Sequence, residues 1–181
     1  MEVYAIKDFL ILENMKRSMV RNEDFRIHFL FILGINTGFR LSDLLRLTYA
    51  DIRNQEYITM KEKKTSKMRI IKINEAVQNA FSAYDNGENG LLFTSNSNRN
   101  QGAALSRQYI TGELKFYAEN AGFKRNVGSH TMRKTFGYKV YQNFGLAITQ
   151  KLLNHSNSSD TLRYIGIDAE QLDEAVMSIC I

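Results

Sequence analysis

The stretch EYITMKEKKTSKMRIIKI, residues 56–73, is the place where the periodicity of the sequence changes. Apolar and polar residues alternate on both sides of a polar turn, which predicts two strands, 57–61 and 68–73, joined as a hairpin. The segments before and after this stretch carry apolar residues at helical spacing. The chain is therefore predicted to be mostly α, in the α+β class, with one small antiparallel β-hairpin inserted after the third helix.

The predicted helices run without interruption because the sequence contains no proline. Asn74 is the predicted cap of the helix after the hairpin. Gly38, Gly122 and Gly145 are predicted helix ends. The predicted helices cover residues 6–19, 24–36, 41–47, 74–84, 106–120, 131–144, 146–154 and 159–165, and a tail helix begins at residue 168.

The composition predicts a single cytoplasmic domain. The chain has 181 residues, of which 44% are hydrophobic, enough to build one core. Its longest apolar run, FLFIL at residues 29–33, is far shorter than a membrane span, and the start of the chain lacks a secretory pattern. Cys180 is the only cysteine, which fits a reducing compartment. The formal charge of +5, from 24 basic and 19 acidic residues, favours a polyanionic partner.

Several kinds of site are not supported by the sequence. His28, His130 and His155 are too far apart in the chain to predict a zinc site, and no cysteine pair exists. The chain contains neither a nucleotide-binding phosphate loop nor a glycine-framed nucleophilic serine. We therefore predict no metal and no cofactor.

Arg40 and Asp43, in TGFRLSD, follow a glycine at a turn between helices. One interpretation is an ordinary surface arginine. The other is a guanidinium held by its own acid, so that it offers paired donors to a phosphate.

The hairpin turn carries a run of basic residues, which is usually only a solvated loop. Such a run also suits a loop that lies against a DNA backbone. The five residues are Lys61, Lys63, Lys64, Lys67 and Arg69.

Two histidine motifs remain. In SHTMRKTF, His130 and Arg133 share one face at a helix start, which predicts either an anion site or a capping histidine beside a solvated arginine. In KLLNHSNSSDTLRYIGI, residues 151–167, His155 and Tyr164 stand on either side of a polar corner. Alone, that corner reads as an ordinary turn between two helices.

Taken in order, these motifs resemble the catalytic domain of tyrosine recombinases, the phage integrase family. TGFRLSDLLRLTYADI resembles the family's first-arginine box, KTSKMRIIKI its lysine hairpin, SHTMRKTF its H-x-x-R box and LLNHSNSSDTLRYIGI its final His…Tyr box. The resemblance runs from about residue 24 through the tail helix. Three residues depart from the family pattern: Asn154 replaces a glycine, Lys134 a histidine and Lys72 a proline.

The resemblance implies a site-specific DNA recombinase. Tyr164 would be the nucleophile that forms a 3′-phosphotyrosine, and the remaining roles follow residue by residue. Arg40 and Arg133 would stabilise the phosphate, and His155 would donate a hydrogen bond to a phosphate oxygen. His130 would be the general base, and Lys64 would be the general acid, with Lys67 as the alternative. Asp43 would orient the first-arginine region. The implied DNA contacts are Lys61, Lys63, Lys67, Arg69, Lys134 and Arg163.

The implied partners are double-stranded DNA with a specific recombination site and a homotetramer assembled on it. An accessory DNA-bending protein is a further candidate, and the implied location is the cytoplasm, at the nucleoid. Residues 1–181 read as a single catalytic domain without the family's N-terminal core-binding domain, either as a fragment or as a short inversion-type enzyme. The tail, 168–181, would pack on its own core or on a neighbouring subunit.

Two alternatives have the same DNA partner. One is a type IB topoisomerase, which relaxes DNA by related chemistry. The other is a DNA-binding protein with a decayed recombinase site. A third alternative, a helical protein–protein module, does not account for the basic charge.

Overall fold

The computed structural model describes residues 2–95, 101–166 and 176–179. Helices α1, α2 and α3 precede a hairpin of strands β1 and β2, and helices α4 to α7 follow it, so the predicted mostly helical class with one inserted hairpin is confirmed. The elements are α1 Phe9–Arg21, α2 Phe25–Thr37, α3 Leu41–Leu44, β1 Tyr57–Lys61, β2 Met68–Lys72, α4 Glu75–Tyr84, α5 Arg107–Asn120, α6 Thr131–Leu152 and α7 Ser158–Ile165.

The start of α1 and the end of α3 each differ from the prediction by three residues, for local reasons. α1 begins at Phe9 instead of residue 6 because the Asp8 carboxylate caps it, accepting the Leu10 N–H at 2.7 Å. α3 ends at Leu44 instead of residue 47. Its last bonds, such as Leu47 N–H to the Leu44 carbonyl, span three residues, so the turn tightens instead of continuing as an α-helix.

The two strands of the hairpin pair as predicted, and the hairpin has one buried face. Ile58 pairs with Ile71, and both are buried, whereas Thr59 and Ile70 pair on the exposed face. β2 ends one residue earlier than predicted, although the Ile73 N–H still donates to the Glu56 carbonyl at 2.8 Å. The alternation of apolar and polar residues along the strands therefore decides which side chains point toward the protein interior.

Helix α2 forms the centre of the core. It is apolar around most of its circumference and packs against α1, α3, α4, α5 and α6. Phe29, Leu30 and Leu33 are fully buried, and each such burial contributes roughly 1.5–3 kcal/mol. The predicted helix stop is also confirmed, since Gly38 ends α2 in the left-handed conformation, with φ of 60°.

The end of α2 approaches α6 very closely, and glycine makes this approach feasible. A Cβ built on Gly34 would lie 2.5 Å from Met132 Sδ, and one built on Gly38 would lie 2.2 Å from Phe136 Cδ1. Because neither glycine has a side chain, the chain that leads to Arg40 rests directly on the first turns of α6.

Helix α7 is attached to α6 by a second apolar cluster, which includes Phe136, Leu153 and Ile165. Gly137 again permits the contact: its Cβ would lie 2.9 Å from Ile165 Cγ2. α6 itself contains a non-helical Gly145 with φ of 74°, at the point where the sequence predicts an end between two helices. Ile165 is fully buried, and its anchoring fixes the neighbouring Tyr164.

The predicted tail helix lies mostly outside the described residues, at 168–175 and 180–181. Its packing in cis or in trans stays a prediction. Within the part of the chain that the structure describes, no helix has the length and apolarity needed to span a membrane.

Candidate active site

A cleft of about 520 Å³ opens between the α2–α3 loop, the hairpin tip, the start of α6 and helix α7. Side chains far apart in the sequence line it together. They include all six predicted catalytic residues, Arg40, Lys64, His130, Arg133, His155 and Tyr164.

Arg40 lies at the residue before α3, in extended backbone conformation. Its Nη1 is 2.8 Å from Glu62 Oε2, as an ion pair without hydrogen-bond alignment. The interpretation in which Asp43 holds the Arg40 guanidinium, one of the two that the sequence leaves open, is therefore wrong. Asp43 is fully buried and turns toward the hairpin, where it accepts the Lys63 N–H at 2.9 Å. It positions the hairpin tip instead of the arginine.

Arg133 is only 1% exposed and is held by backbone carbonyls. Its Nη1 donates to the Gly38 carbonyl at 2.7 Å, and its Nη2 donates to the Leu153 carbonyl. One guanidinium thus joins the loop before Arg40 to the turn after α6. An arginine in a fixed fork geometry can present its remaining donors to a phosphate without rearrangement.

Glu62 was missed by the sequence analysis, although it lies at the centre of the cationic cluster. It is 0% exposed, and its Oε1 is 3.5 Å from Arg69 Nη1 and 3.7 Å from Arg133 Nη1. The alternation of inward and outward side chains along β1 could have identified Glu62 as a buried residue. Ile58 and Met60 face inward from β1, and residue 62 continues that face.

Arg69 corrects one of the predicted DNA contacts. It is only 5% exposed, and its guanidinium donates to the carbonyls of Gly38 and Thr37 at 3.0 and 2.6 Å. Burial lowers the pKa of Arg69 to about 10, with repulsion from Arg133 acting in the same direction. Its position on the inner face of β2 contradicts the prediction that it contacts DNA.

Tyr164 and His130 meet inside the cleft. The Tyr164 Oη lies 3.0 Å from His130 Nδ1. Burial raises the pKa of Tyr164 to about 12, while the Arg133 and Arg40 charges act in the opposite direction. Burial and the same two cations lower the pKa of His130. At neutral pH the pair is therefore a neutral phenol beside a neutral imidazole, the protonation states from which a base can accept the phenolic proton.

His155 follows Asn154, which adopts the left-handed conformation with φ of 55°. Asparagine tolerates that conformation better than most residues, which explains how it replaces glycine here. The His155 ring stands edge-on to the Tyr164 ring, with centroids 5.0 Å apart. Burial, followed by repulsion from Arg133 and Arg40, lowers the pKa of His155 to about 4.

The hydrogen bond of His155 identifies its tautomer. His155 Nδ1 lies 3.2 Å from Thr161 Oγ1, and the Thr161 hydroxyl donates its hydrogen to the Asn157 carbonyl. The hydroxyl can then only accept from the imidazole, so Nδ1 carries the hydrogen. Nε2 is left without a proton in the neutral ring.

The lysines of the hairpin tip are exposed, as the sequence predicts for Lys61, Lys63, Lys64 and Lys67. Among the described residues that line the cleft, Lys64 is present and Lys67 is not. The geometry therefore favours Lys64 over Lys67 as the group that reaches the reaction centre.

Lys134 and Arg163 both line the cleft, in different ways. Arg163 is exposed. The Lys134 Nζ lies 5.6 Å from the centre of the Tyr164 ring and 4.0 Å from Glu2 Oε1, and burial lowers its pKa. The lysine therefore packs over the phenol ring, in contact range for a cation–π interaction.

A second, smaller cleft of about 250 Å³ adjoins the first and shares Arg40, Lys64 and His130 with it. Arg107, at the first position of α5, and Lys63 add two further cations. Arg107 lies outside the four sequence motifs. An arginine at a helix start is unusual because the helix dipole favours acidic residues there, and that conflict is the signal that could have identified it.

Within residues 2–95, 101–166 and 176–179, no group of three His, Cys, Asp or Glu side chains is arranged to hold a metal ion. Most of the charged side chains that line the cleft are arginines and lysines, accompanied by two neutral histidines. Such a set binds anions, and phosphate above all.

Comparison with known proteins identifies the family of this chain. The model of the Phage integrase family matches residues 10–171. The chain belongs to the phage integrase family. The predicted family resemblance is thereby confirmed. One relative, the probable integrase/recombinase YoeC of Bacillus subtilis, is 38% identical over 171 residues, which cover 93% of this chain and 92% of YoeC.

Two solved structures share the fold. The crystal structure of XerA recombinase has a TM-score of 0.75 at 24% identity and covers 98% of this chain. The post-cleavage complex of the XerH site-specific recombinase with palindromic difH substrate has a TM-score of 0.74 at 22% identity and also covers 98% of this chain. This chain spans 63% of the XerA chain and 54% of the XerH chain.

Proposed function

We propose that this protein is a site-specific DNA recombinase that cuts and rejoins DNA through a 3′-phosphotyrosine on Tyr164. The observation that carries the proposal is the convergence of six side chains on one cleft, with the Tyr164 Oη 3.0 Å from His130 Nδ1. Membership of the phage integrase family supports the same activity.

The proposed first step is an attack of the Tyr164 Oη on the scissile phosphorus. A bond forms between Oη and phosphorus, the bond from phosphorus to the 5′ oxygen breaks, and His130 takes the phenolic proton. A phosphodiester is exchanged for a phosphodiester, so the reaction needs no energy source. With a pKa of about 12, the free phenol is protonated at neutral pH, which makes a base within hydrogen-bond distance necessary.

The negative charge that develops on the non-bridging oxygens would be stabilised by Arg40 and Arg133. Arg133 is pre-positioned by two backbone carbonyls and Arg40 by a buried carboxylate. Fixed donors of this kind act without reorganisation, and loss of one typically lowers the rate by ~10²–10³.

The departing 5′ oxygen is more basic than a phenoxide and requires a proton. Lys64 is the proposed general acid because it projects into the cleft from the hairpin tip. Asp43 fixes that tip by accepting the neighbouring Lys63 N–H. The carboxylate therefore assists the reaction through the hairpin and not through Arg40.

His155 would contact a phosphate oxygen through Nε2. Because Nδ1 donates to Thr161, Nε2 has a hydrogen to donate only after the ring is protonated. A bound phosphate favours that protonation by adding negative charge beside the imidazole. We therefore propose that His155 takes up a proton when DNA binds.

The proposed substrate is double-stranded DNA with a specific recombination site. Lys61, Lys63, Lys67, Lys134 and Arg163 are proposed contacts to it, with Arg107 as an additional one. An exchange between two duplexes needs four cuts, so we propose a homotetramer on DNA, with an accessory DNA-bending protein as a further candidate partner. The protein would act in the cytoplasm at the nucleoid, with residues 1–181 as its catalytic domain.

The test uses a pool of nicked duplexes with randomised sequence, in which a cut close to the nick releases a short strand and so traps the covalent product. The wild type should form adducts that survive SDS, and sequencing of the captured DNA should give a consensus site. The Tyr164→Phe variant should bind DNA without forming adducts. Tyr141→Phe, a matched change in a half-buried tyrosine of α6, should form adducts like the wild type.

The outcomes separate the alternatives. Adducts without any sequence preference, together with relaxation of supercoiled plasmid, would identify a type IB topoisomerase. DNA binding without adducts would identify a protein whose recombinase site has decayed. Adducts that persist in Tyr164→Phe would contradict the assignment of the nucleophile.

A further inference from the structure

Glu62 is a buried carboxylate at the point where the reacting elements meet, and it lies outside the four sequence motifs that indicated the family. It follows strand β1 directly, on the inward face of the hairpin, and is 0% exposed on its side chain. A buried charge is retained only where partners compensate for its lost hydration. Its partners therefore indicate what the carboxylate does.

The two oxygens of Glu62 contact different elements. Oε2 lies 2.8 Å from Arg40 Nη1, accepts the Thr65 hydroxyl at 2.7 Å and accepts the Asn154 amide at 3.3 Å. Oε1 faces Arg69 and Arg133, at 3.5 and 3.7 Å. One carboxylate thus connects the first-arginine loop, the turn that carries Lys64, the start of α6 and the turn before His155.

The three guanidiniums around Glu62 repel one another in the free protein. Arg133 and Arg69 are restrained because backbone carbonyls accept their hydrogen bonds. Arg40 differs, since Glu62 is the acidic partner that the structure gives it. Without that carboxylate, repulsion from its two neighbours would move the Arg40 guanidinium toward solvent.

We propose that Glu62 is a positioning residue that holds Arg40 and the Lys64 turn in their reactive arrangement before DNA binds. This inference rests on the proposed recombinase function for the roles of Arg40 and Lys64. Glu62 itself contacts no reacting atom and acts through its neighbours.

The charge of Glu62 leads to a result that a merely structural residue would not give. A carboxylate beneath the phosphate site repels DNA, while the order that it imposes accelerates the reaction. Removal of the charge in Glu62→Gln should therefore leave the Kd for DNA unchanged or slightly lower, and reduce the rate of covalent capture by about 10–100-fold, less than the loss of a direct donor. Affinity and rate should move independently.

The first measurement compares DNA affinity and capture rate, on the captured consensus duplex, for the wild type and E62Q. Glu56→Gln is the matched control because it makes the same chemical change at the exposed start of the same hairpin. It should match the wild type in both quantities. If E62Q does not fold, Glu62→Asp takes its place; it keeps the charge, is one methylene shorter, and should lose capture rate for the same reason.

The second measurement needs no catalysis. NMR of the Arg40 guanidinium, assigned by loss of its signals in Arg40→Lys, should show hindered rotation in the wild type and E56Q. It should show averaged signals in E62Q or, in its place, E62D. An unchanged Arg40 signal, or an unchanged capture rate in an active enzyme, would overturn the proposal. If the wild type itself forms no adduct, the proposed function fails, and the Arg40 signal still decides the role of Glu62.

Discussion

Arg133 donates a 2.7 Å hydrogen bond to the carbonyl of Gly38, two residues before Arg40. The second arginine of the site is therefore fastened to the loop that carries the first. Arg69 donates to the same carbonyl at 3.0 Å. Backbone contacts thus hold Arg133 against the loop that carries Arg40, while Glu62 holds the Arg40 guanidinium itself.

Gly38→Ala tests that loop. The new Cβ would be strained at φ of 60° and would overlap Phe136, so we expect a loss of about 2–4 kcal/mol in the free energy of unfolding. Chemical denaturation measures it. Gly112→Ala is the matched control: it lies in α5 with open space around its Cβ, and should be neutral or stabilising. Equal stability of the two variants would contradict the close packing of Gly38 on α6.

The pH dependence of covalent capture tests His130 as the base. Capture needs the neutral imidazole, and burial lowers its pKa below the ordinary value of 6.5. The rate should therefore stay level through neutral pH and fall only as the solution becomes acidic. His130→Gln should be slower at neutral pH and lack that limb. If the capture rate of H130Q still falls at acid pH, the fall is caused by the titration of another group.

Thr161→Val tests the tautomer of His155. Valine removes the oxygen that accepts from Nδ1, so the ring loses its fixed orientation. We expect capture to slow by roughly 10-fold, in the range seen when partners that orient a functional histidine are removed. Thr59→Val is the control, since it changes an exposed residue of β1. A capture rate in T161V equal to that of the wild type would show that the Thr161 hydroxyl does not orient His155.

Arg107→Gln tests the smaller cleft as part of the DNA-binding surface. Loss of one phosphate contact should weaken binding of all sequences alike and reduce the salt slope of log Kd by about 1. The capture rate at saturating DNA should be unchanged. Arg125→Gln, at an exposed position next to Tyr4, is the control. Equal salt slopes for R107Q and the wild type would count against the contact.

Much of the candidate site follows from the sequence because each proposed catalytic residue lies in a recognisable local motif. The hairpin follows from alternation, and the order of the four motifs identifies the family. Their meeting in space depends on close approaches at Gly34, Gly38 and Gly137, which no local pattern predicts.

The wrong assignments share one physical cause. Arg69 and Glu62 look like members of a solvated basic turn, yet strand alternation points both inward, where each compensates the charge of the other. Asp43 is close to Arg40 in sequence, but its carboxylate turns to the hairpin, which lies twenty residues further along the chain. The contacts of a buried charged residue come mainly from residues that are distant in sequence. Neighbours in the sequence are therefore a poor guide to its partners.

The Tyr164–His130 contact lies within one chain and has a consequence for mixed assemblies. We therefore expect each protomer to use its own phenol, base and arginines when it cuts DNA. Two inactive copies, Tyr164→Phe and Arg133→Lys, should therefore fail to complement each other when mixed. Restored cleavage in the mixture would mean that subunits exchange reactive parts.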